Sequence, residues 1–459
     1  MSLVVLDPII KPRLRALLDH FAVIEDPRAP WRVAHPLPEV LLLVVCGTIA
    51  DCDDYEGIAA WGEAHLVFLR RFLPYHYGVP GARWLTILMN RINPALFSAA
   101  FTAWVRETWP GRPELVAIDG KTSRRSHDRN VGKAPLHLVS AFATTSRLVL
   151  GQEAVADKTN EITAIPILLE RLAVNDGLKG ALVSIDAIAT NPTVATAIRD
   201  AGADYLLAVK ANQPSLRTEI ETFFADADPT ALDSTTDLDK GHGRIEQRTV
   251  TVAGDVDWLD GKRRFPGEVR LPGLATIIKV TSRGELKDRC RFQTRYYVSS
   301  AALSATCAAE AVRGHWAIEN SPHWVLDVTF GDDQSRLRTG HGAKNMAVVR
   351  HFAINLVRAA KDKRSIKLRR KCAGWDPHFL ATRPRPSNAL TRIRSPGGNP
   401  GPMHTGLKTS RSMFIGSRPR FRGGMVRAGA CPAPDAGARP GMTGLVHVFA
   451  QSRYYIAIS

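Results

Sequence analysis

The sequence predicts an α/β protein. A mixed sheet flanked by helices follows a helical N-terminal domain, takes a strand-rich insertion and ends in a disordered basic tail. Three observations lead there. The first hundred residues keep the 3–4 spacing of helices. Short apolar runs ending in acids then alternate with helical patterns. After residue 382 apolar periodicity is lost.

Within residues 1–108, Leu14, Leu17, Leu18 and Phe21 form one helical stripe, Glu39–Ala50 reads as a buried helix, and Ile58, Trp61, Leu66, Leu69, Phe72 and Leu73 suggest another. Pro94, a residue suited to a first helical turn, opens a segment with Leu96, Phe97, Phe101, Trp104 and Val105 on one face. Beyond Pro110 the period shortens. Glu114–Asp119, Leu136–Ala143 and Arg147–Val155 read as strands, Glu161–Ala173 as a helix, Ala181–Asp186 as a strand, Pro192–Ala201 as a helix and Ala203–Lys210 as a fifth strand. Strand signals at Arg248–Ala253, Leu274–Thr281 and Gln293–Ser299 fill an insertion over 211–300. Helical signals return at Ala301–Trp316 and Asn345–Ala360. The expected organisation is therefore 1–108, a helical domain; 109–210 and 301–375, the two parts of an α/β core; 211–300, the insertion; and 376–459, the tail.

Charge is unevenly spread. The whole chain of 459 residues carries 61 Lys+Arg against 44 Asp+Glu, a net of +17. Residues 383–459 hold 12 basic residues and one acid, which leaves 49 against 43, or +6, for the rest. The same 77 residues hold 11 Gly and 9 Pro, too many breakers to bury a core that offsets their ordering entropy. A basic protein points to a polyanion, nucleic acid first. Six scattered Cys with no C-x-x-C pair exclude a disulfide scaffold and suggest a reducing cytosol. The longest uncharged apolar run, Val40–Ala50, is too short to span a bilayer, and no cleavage site follows the apolar N-terminal stretch, so neither membrane insertion nor a signal peptide is expected.

Three acids stand out. Asp119 and Asp186 each close an apolar strand, the end at which sheet scaffolds expose chemistry. Gly120-Lys121-Thr122 looks like the close of a phosphate-binding loop, but Leu115 replaces its first glycine, which excludes a P-loop. His315, Glu319, His323 and Asp327 lie at i, i+4 intervals, one stripe if helical. A zinc reading of that stripe lacks His-Glu-x-x-His, and Pro322 interrupts it. Two strand-borne Asp and one helix-borne Glu are the groups needed to hold paired divalent ions for phosphodiester attack; Mg²⁺ favours such oxygens. Asp327, Asp332 and Asp333 rival Glu319 as the third acid.

The words around these acids resemble bacterial insertion-sequence transposases of the DDE class, the H-repeat-associated family, with a ribonuclease H-like core. The matching stretches are Ala117–Ser123, Leu136–Ala143, Lys158–Ile165, Ile185–Asp186, Gly202–Gln213, Gly241–Glu246, Tyr296–Ser300 and Arg313–Phe330, within about residues 10–382. The resemblance implies that Asp119, Asp186 and Glu319 are catalytic metal ligands for Mg²⁺, with Mn²⁺ as a substitute and no organic cofactor. It also implies a cytoplasmic enzyme that acts on double-stranded DNA, at element ends and target, as a homo-oligomer. Lys121, Arg124, Arg125, Lys210 and Arg313 are candidates for holding phosphate, with Asn212 on the same rim. A catalytically inactive DNA-binding remnant and a plain metal-dependent nuclease are the alternatives. Three departures bear on them: Gly81-Ala82-Arg83 replaces a usual His-Asp pair, Pro322 stands where Leu is usual, and the tail reads like a foreign reading frame.

Overall fold

The computed structural model describes residues 13–379, apart from 157–159, 242–243, 255, 260–264, 266–267, 286–288, 361–362 and 378. Of the tail expected to be disordered from residue 376, residues 380–459 lie outside the described residues, whereas Phe379 packs against the helical core.

Helices α1 (Arg13–Ala22), α2 (Leu37–Ile49), α3 (Tyr55–Ala64), α4 (Leu66–Leu69), α5 (Ala82–Met89) and α6 (Pro94–Thr108) precede the sheet. The single helix expected over Ile58–Leu73 is broken at His65 into α3 and α4. Asn93 caps α6 by accepting from the Ala95 and Leu96 N–H groups, and Pro94 starts it without wasting a donor. α2 is apolar all round because it is enclosed all round. Its one acid, Glu39, is 2% exposed and is satisfied by the Tyr75 N–H at 2.7 Å. These helices share their core with α12 (Gly342–Arg358) and α13 (Ile366–Trp375). Phe352 sits at its centre, among Phe21, Phe97, Phe101 and Trp104.

The nine strands β1 (Leu115–Ser123), β2 (Leu136–Ala143), β3 (Leu148–Ala154), β4 (Leu182–Ile185), β5 (Asp204–Val209), β6 (Asp233–Gly241), β7 (Arg244–Ala253), β8 (Thr276–Glu285) and β9 (Cys290–Ser299) form one mixed sheet in the order 3-2-1-4-5-9-8-7-6. β1, β4 and β5 are parallel; β2, β3 and β9 run against their neighbours. This is the mixed sheet flanked by helices that the sequence predicts. The insertion's strands extend this sheet through β9 on β5. Two of the insertion's elements went unread. β6 (DSTTDLDKG) has no apolar alternation to mark it. α9 (Pro214–Asp226) does carry a signal, since Leu216, Ile220 and Phe224 recur every fourth residue and are buried.

α7 (Glu161–Ala173) and α8 (Pro192–Asp200) cover one face of the sheet, packing on Val116, Ile118, Val139 and Ala141. α10 (Ala305–His315), α11 (Trp324–Val328) and α12 lie against the other. Strand alternation therefore sends Asp119, Lys121 and Ser123 towards α10–α12, and Gly120 and Thr122 towards α7.

Candidate active site

β1 and β4 are in parallel register from Leu115↔Leu182 to Ile118↔Ile185, where β4 stops. Asp119, expected to close its strand, instead lies midway along β1, which runs on to Ser123 paired with β2; it is the first residue past the β4 pairing and level with Asp186, which follows β4 and opens a short turn, Ala187–Ala189. The third acid arrives from α10. That helix lies close on β1 because residue 314 is glycine; a Cβ there would stand 2.4 Å from Leu115 Cδ2. Past α10 the chain does not continue as a plain α-helix. Pro322, without an N–H, lies in a π-helical turn, Glu319–His323, whose widened ring is closed by the Trp324 N–H to the Glu319 carbonyl.

Despite this turn His315, His323 and Asp327 reach side chains of the sheet. His315 Nδ1 is 3.0 Å from Ser184 Oγ, His323 Nδ1 is 3.5 Å from Asp119 Oδ2, and Asp327 Oδ1 is 2.6 Å from Lys121 Nζ. Glu319 is exposed at its middle and acts on Asp119 through its charge.

Burial pushes the Asp119 carboxyl up to about 7; the charges of Glu161, Asp186 and Glu319 push the same way, against one hydrogen bond from the Gly120 N–H. Asp186 goes in the opposite direction. Burial would raise it, but Lys210 Nζ, 2.8 Å from both its oxygens, holds it below the ordinary carboxylate range, helped by the Ala187 N–H. Burial lowers His315, and burial together with Lys121 takes His323 down to about 4, so both rings are neutral beside the acids.

Asp327, Asp332 and Asp333 form a second cluster, with oxygens within 4.8 Å of one another, a spacing that fits a cation. A cation of the chain's own is already there. Lys121 Nζ lies 2.6, 3.2 and 3.6 Å from the three carboxylates, and Arg350 and Ser123 complete Asp332. Burial would raise Asp332, but Arg350 and Lys121 hold it below its ordinary range. Burial would lower Lys121, but Asp332, Asp327 and Asp333 raise it. Lys121, expected to hold phosphate, is thus buried with its ammonium enclosed by acids, because alternation in β1 turns it towards α11 and the Asp332 turn.

The other basic residues expected to hold DNA are more open. Arg124 is 81% exposed and lies 3.3 Å from Asp333; Arg125 is exposed; Arg313 pairs with Asp237 of β6 at 2.5 Å. Lys210 is paired with Asp186. Asn212 Nδ2 donates to the Ala187 carbonyl at 2.8 Å and so holds the turn after Asp186. The sequence reading missed Glu161, paired with His137 at 2.8 Å, although Asn160-Glu161 shows the acid-rich start of a helix.

Residues 110–356 match the family model described as Transposase DDE domain, and residues 18–105 match DDE_Tnp_1-associated. The chain is 34% identical over 374 residues to the H repeat-associated YhhI of Escherichia coli strain K12, covering 80% of this chain and 97% of that one. It is 36% identical over 367 residues to YncI of Escherichia coli O157:H7, covering 78% and 91%. Among solved structures, the piggyBac transposase in a synaptic complex with hairpin DNA is similar over 81% of each chain at TM-score 0.39 and 11% identity.

Proposed function

The chain belongs to the DDE transposase family, in its H repeat-associated branch, and is an insertion-sequence transposase; from that premise we propose that Asp119, Asp186 and Glu319 are the acids that hold its divalent ions, Mg²⁺ foremost. Members of this family cleave DNA and transfer strands with divalent metals. The observation that supports these three is the Asp119 carboxyl, raised to about 7 by burial first and then by the charges of Glu161, Asp186 and Glu319. An all-oxygen donor set of this kind suits a hard cation, which removes the repulsion as it binds. When bound, such ions activate a hydroxyl or water for attack on a phosphodiester and stabilise the leaving oxygen.

The chain's own groups prepare the site. Asp119 gives up its proton to become a ligand. Lys210 keeps Asp186 ionised and, once released from it, faces the phosphate backbone. Neutral His315 and His323 wall the acids without adding positive charge that would oppose a metal. The open Arg124, Arg125 and Arg313 offer phosphate contacts that set register rather than sequence. Cleavage is followed by attack of the freed 3′-hydroxyl on target DNA, in the cytoplasm, by a homo-oligomer on paired ends, with the helices before residue 109 reading the ends.

The test is cleavage and joining with Mg²⁺ on DNA carrying the inverted repeats that flank the gene. Asp119→Asn is expected to abolish cleavage while a mobility-shift assay still shows end binding; retained cleavage refutes the assignment. Cutting without joining by the parent chain identifies a plain nuclease, and binding without cutting an inactive remnant.

A further inference from the structure

Glu161 is used by no part of the scheme above, yet it stands against Gly120, the residue after Asp119. It opens α7, on the face of the sheet opposite to the Glu319 segment. What lets it approach is Gly120. A Cβ on that residue would lie 2.0 Å from Glu161 Oε1 and 2.7 Å from His137 Nε2, so the carboxylate and the imidazole together fill the space a side chain would take. Glu161 is held, not loose. Its Oε1 is 2.8 Å from His137 Nε2, and His137 Nδ1 is 2.7 Å from Thr122 Oγ1, the residue paired with it across β1 and β2. In a neutral ring that donates from Nε2, Nδ1 accepts the threonine hydroxyl proton. This chain fixes one carboxylate oxygen and leaves the other to a second partner.

Resting on the metal-site reading above, we propose that Glu161 is a fourth carboxylate of the metal site, admitted across Gly120 from the α7 face and positioned by His137 and Thr122. β4 ends at Ile185, so among the described residues no strand lies beside Asp119 and Gly120 on that edge. Acids from both faces can therefore converge on that edge of β1. The simpler role for Glu161, an acid in the first turn of a helix that is stabilised by the helix dipole, requires neither the missing Cβ at residue 120 nor the histidine brace.

The two roles separate in Mn²⁺ binding to the full chain, measured by isothermal titration calorimetry without DNA. Glu161→Gln is expected to weaken Mn²⁺ at least tenfold, and His137→Gln three- to tenfold, with unfolding transitions close to the parent's. Gly120→Ala, which removes no polar group, is expected to weaken Mn²⁺ by pushing the carboxylate aside. Its effect should largely vanish in a Glu161→Ala background, and it decides the matter if Glu161→Gln folds poorly. Mn²⁺ affinity within twofold of the parent in folded Glu161→Gln, or in Gly120→Ala, overturns the proposal and leaves Glu161 a helix-end acid. Asp119→Asn is the control. If it binds Mn²⁺ normally, the metal-site reading itself has failed; if it loses Mn²⁺ while Glu161→Gln does not, only the fourth ligand is lost.

Discussion

Asp119→Asn has a second consequence, on stability, that follows from the raised carboxyl. Moving this group from its ordinary value near 3.8 to about 7 makes ionisation in the fold costlier by about 4 kcal/mol, at roughly 1.36 kcal/mol per pH unit. Because 31% of the side chain is exposed, solvent screening removes about half of that, leaving ~2 kcal/mol. The sign is set by where the proton is held. Between pH 3.8 and about 7 the folded chain keeps a proton that the unfolded chain releases, so the parent loses stability as pH rises through this window and none further above it. Asparagine has no such ionisation. In urea denaturation followed by circular dichroism, with a chelator at pH 8, the variant should exceed the parent by ~2 kcal/mol, and the gap should close near pH 4. Metal reverses the order: at one hundred times its Kd, Mg²⁺ adds about 2.7 kcal/mol to the parent and little to the variant. A chelated variant no more stable than the parent at pH 8 refutes the electrostatic argument, and equal stabilisation of both by Mg²⁺ refutes Asp119 as a ligand.

Lys121→Met should destabilise the fold by about 3 kcal/mol in the same assay, since it leaves Asp332 (4% exposed) and its two neighbours short of a cation; an unchanged midpoint would show the cluster is neutralised some other way. Gly314→Val places a side chain against Leu115 and lifts α10 from β1. It should cost about 2 kcal/mol in thermal unfolding and depress cleavage more than end binding, because Glu319 follows that helix. Lys210→Ala removes an exposed pair and should leave stability within ~0.5 kcal/mol of the parent. The slope of log affinity for DNA against log salt should fall by about 1 if Lys210 faces phosphate, and an unchanged slope removes it from the DNA surface.

Among the described residues, most of the order of elements and the strand end before Asp186 were legible in the sequence, because apolar periodicity and a terminal acid are local signals; that β1 runs on past Asp119 to Ser123 was not, because its pairing with β2 sets that end. Also legible was the stripe from His315 to Asp327, which survives Pro322 because the π-helical turn absorbs the missing N–H within one turn. What local pattern could not supply is the direction of approach. Lys121 and Thr122 are neighbours in one strand, yet alternation sends the first into three carboxylates and the second to the histidine that braces Glu161. Which acid meets which cation depends on residues some two hundred positions apart, such as Lys121 and Asp332, and only packing across the sheet brings them together. The exposed strand β6 escaped for the complementary reason. Its place is set by pairing with β7, and no burial of its own leaves a mark in its composition. Sequence alone determined which residues carry charge and which elements carry them; the close approaches at Gly120 and Gly314, where absent side chains let helices and carboxylates reach β1, were decided by the tertiary structure, because a glycine's vacancy has meaning only once something fills it.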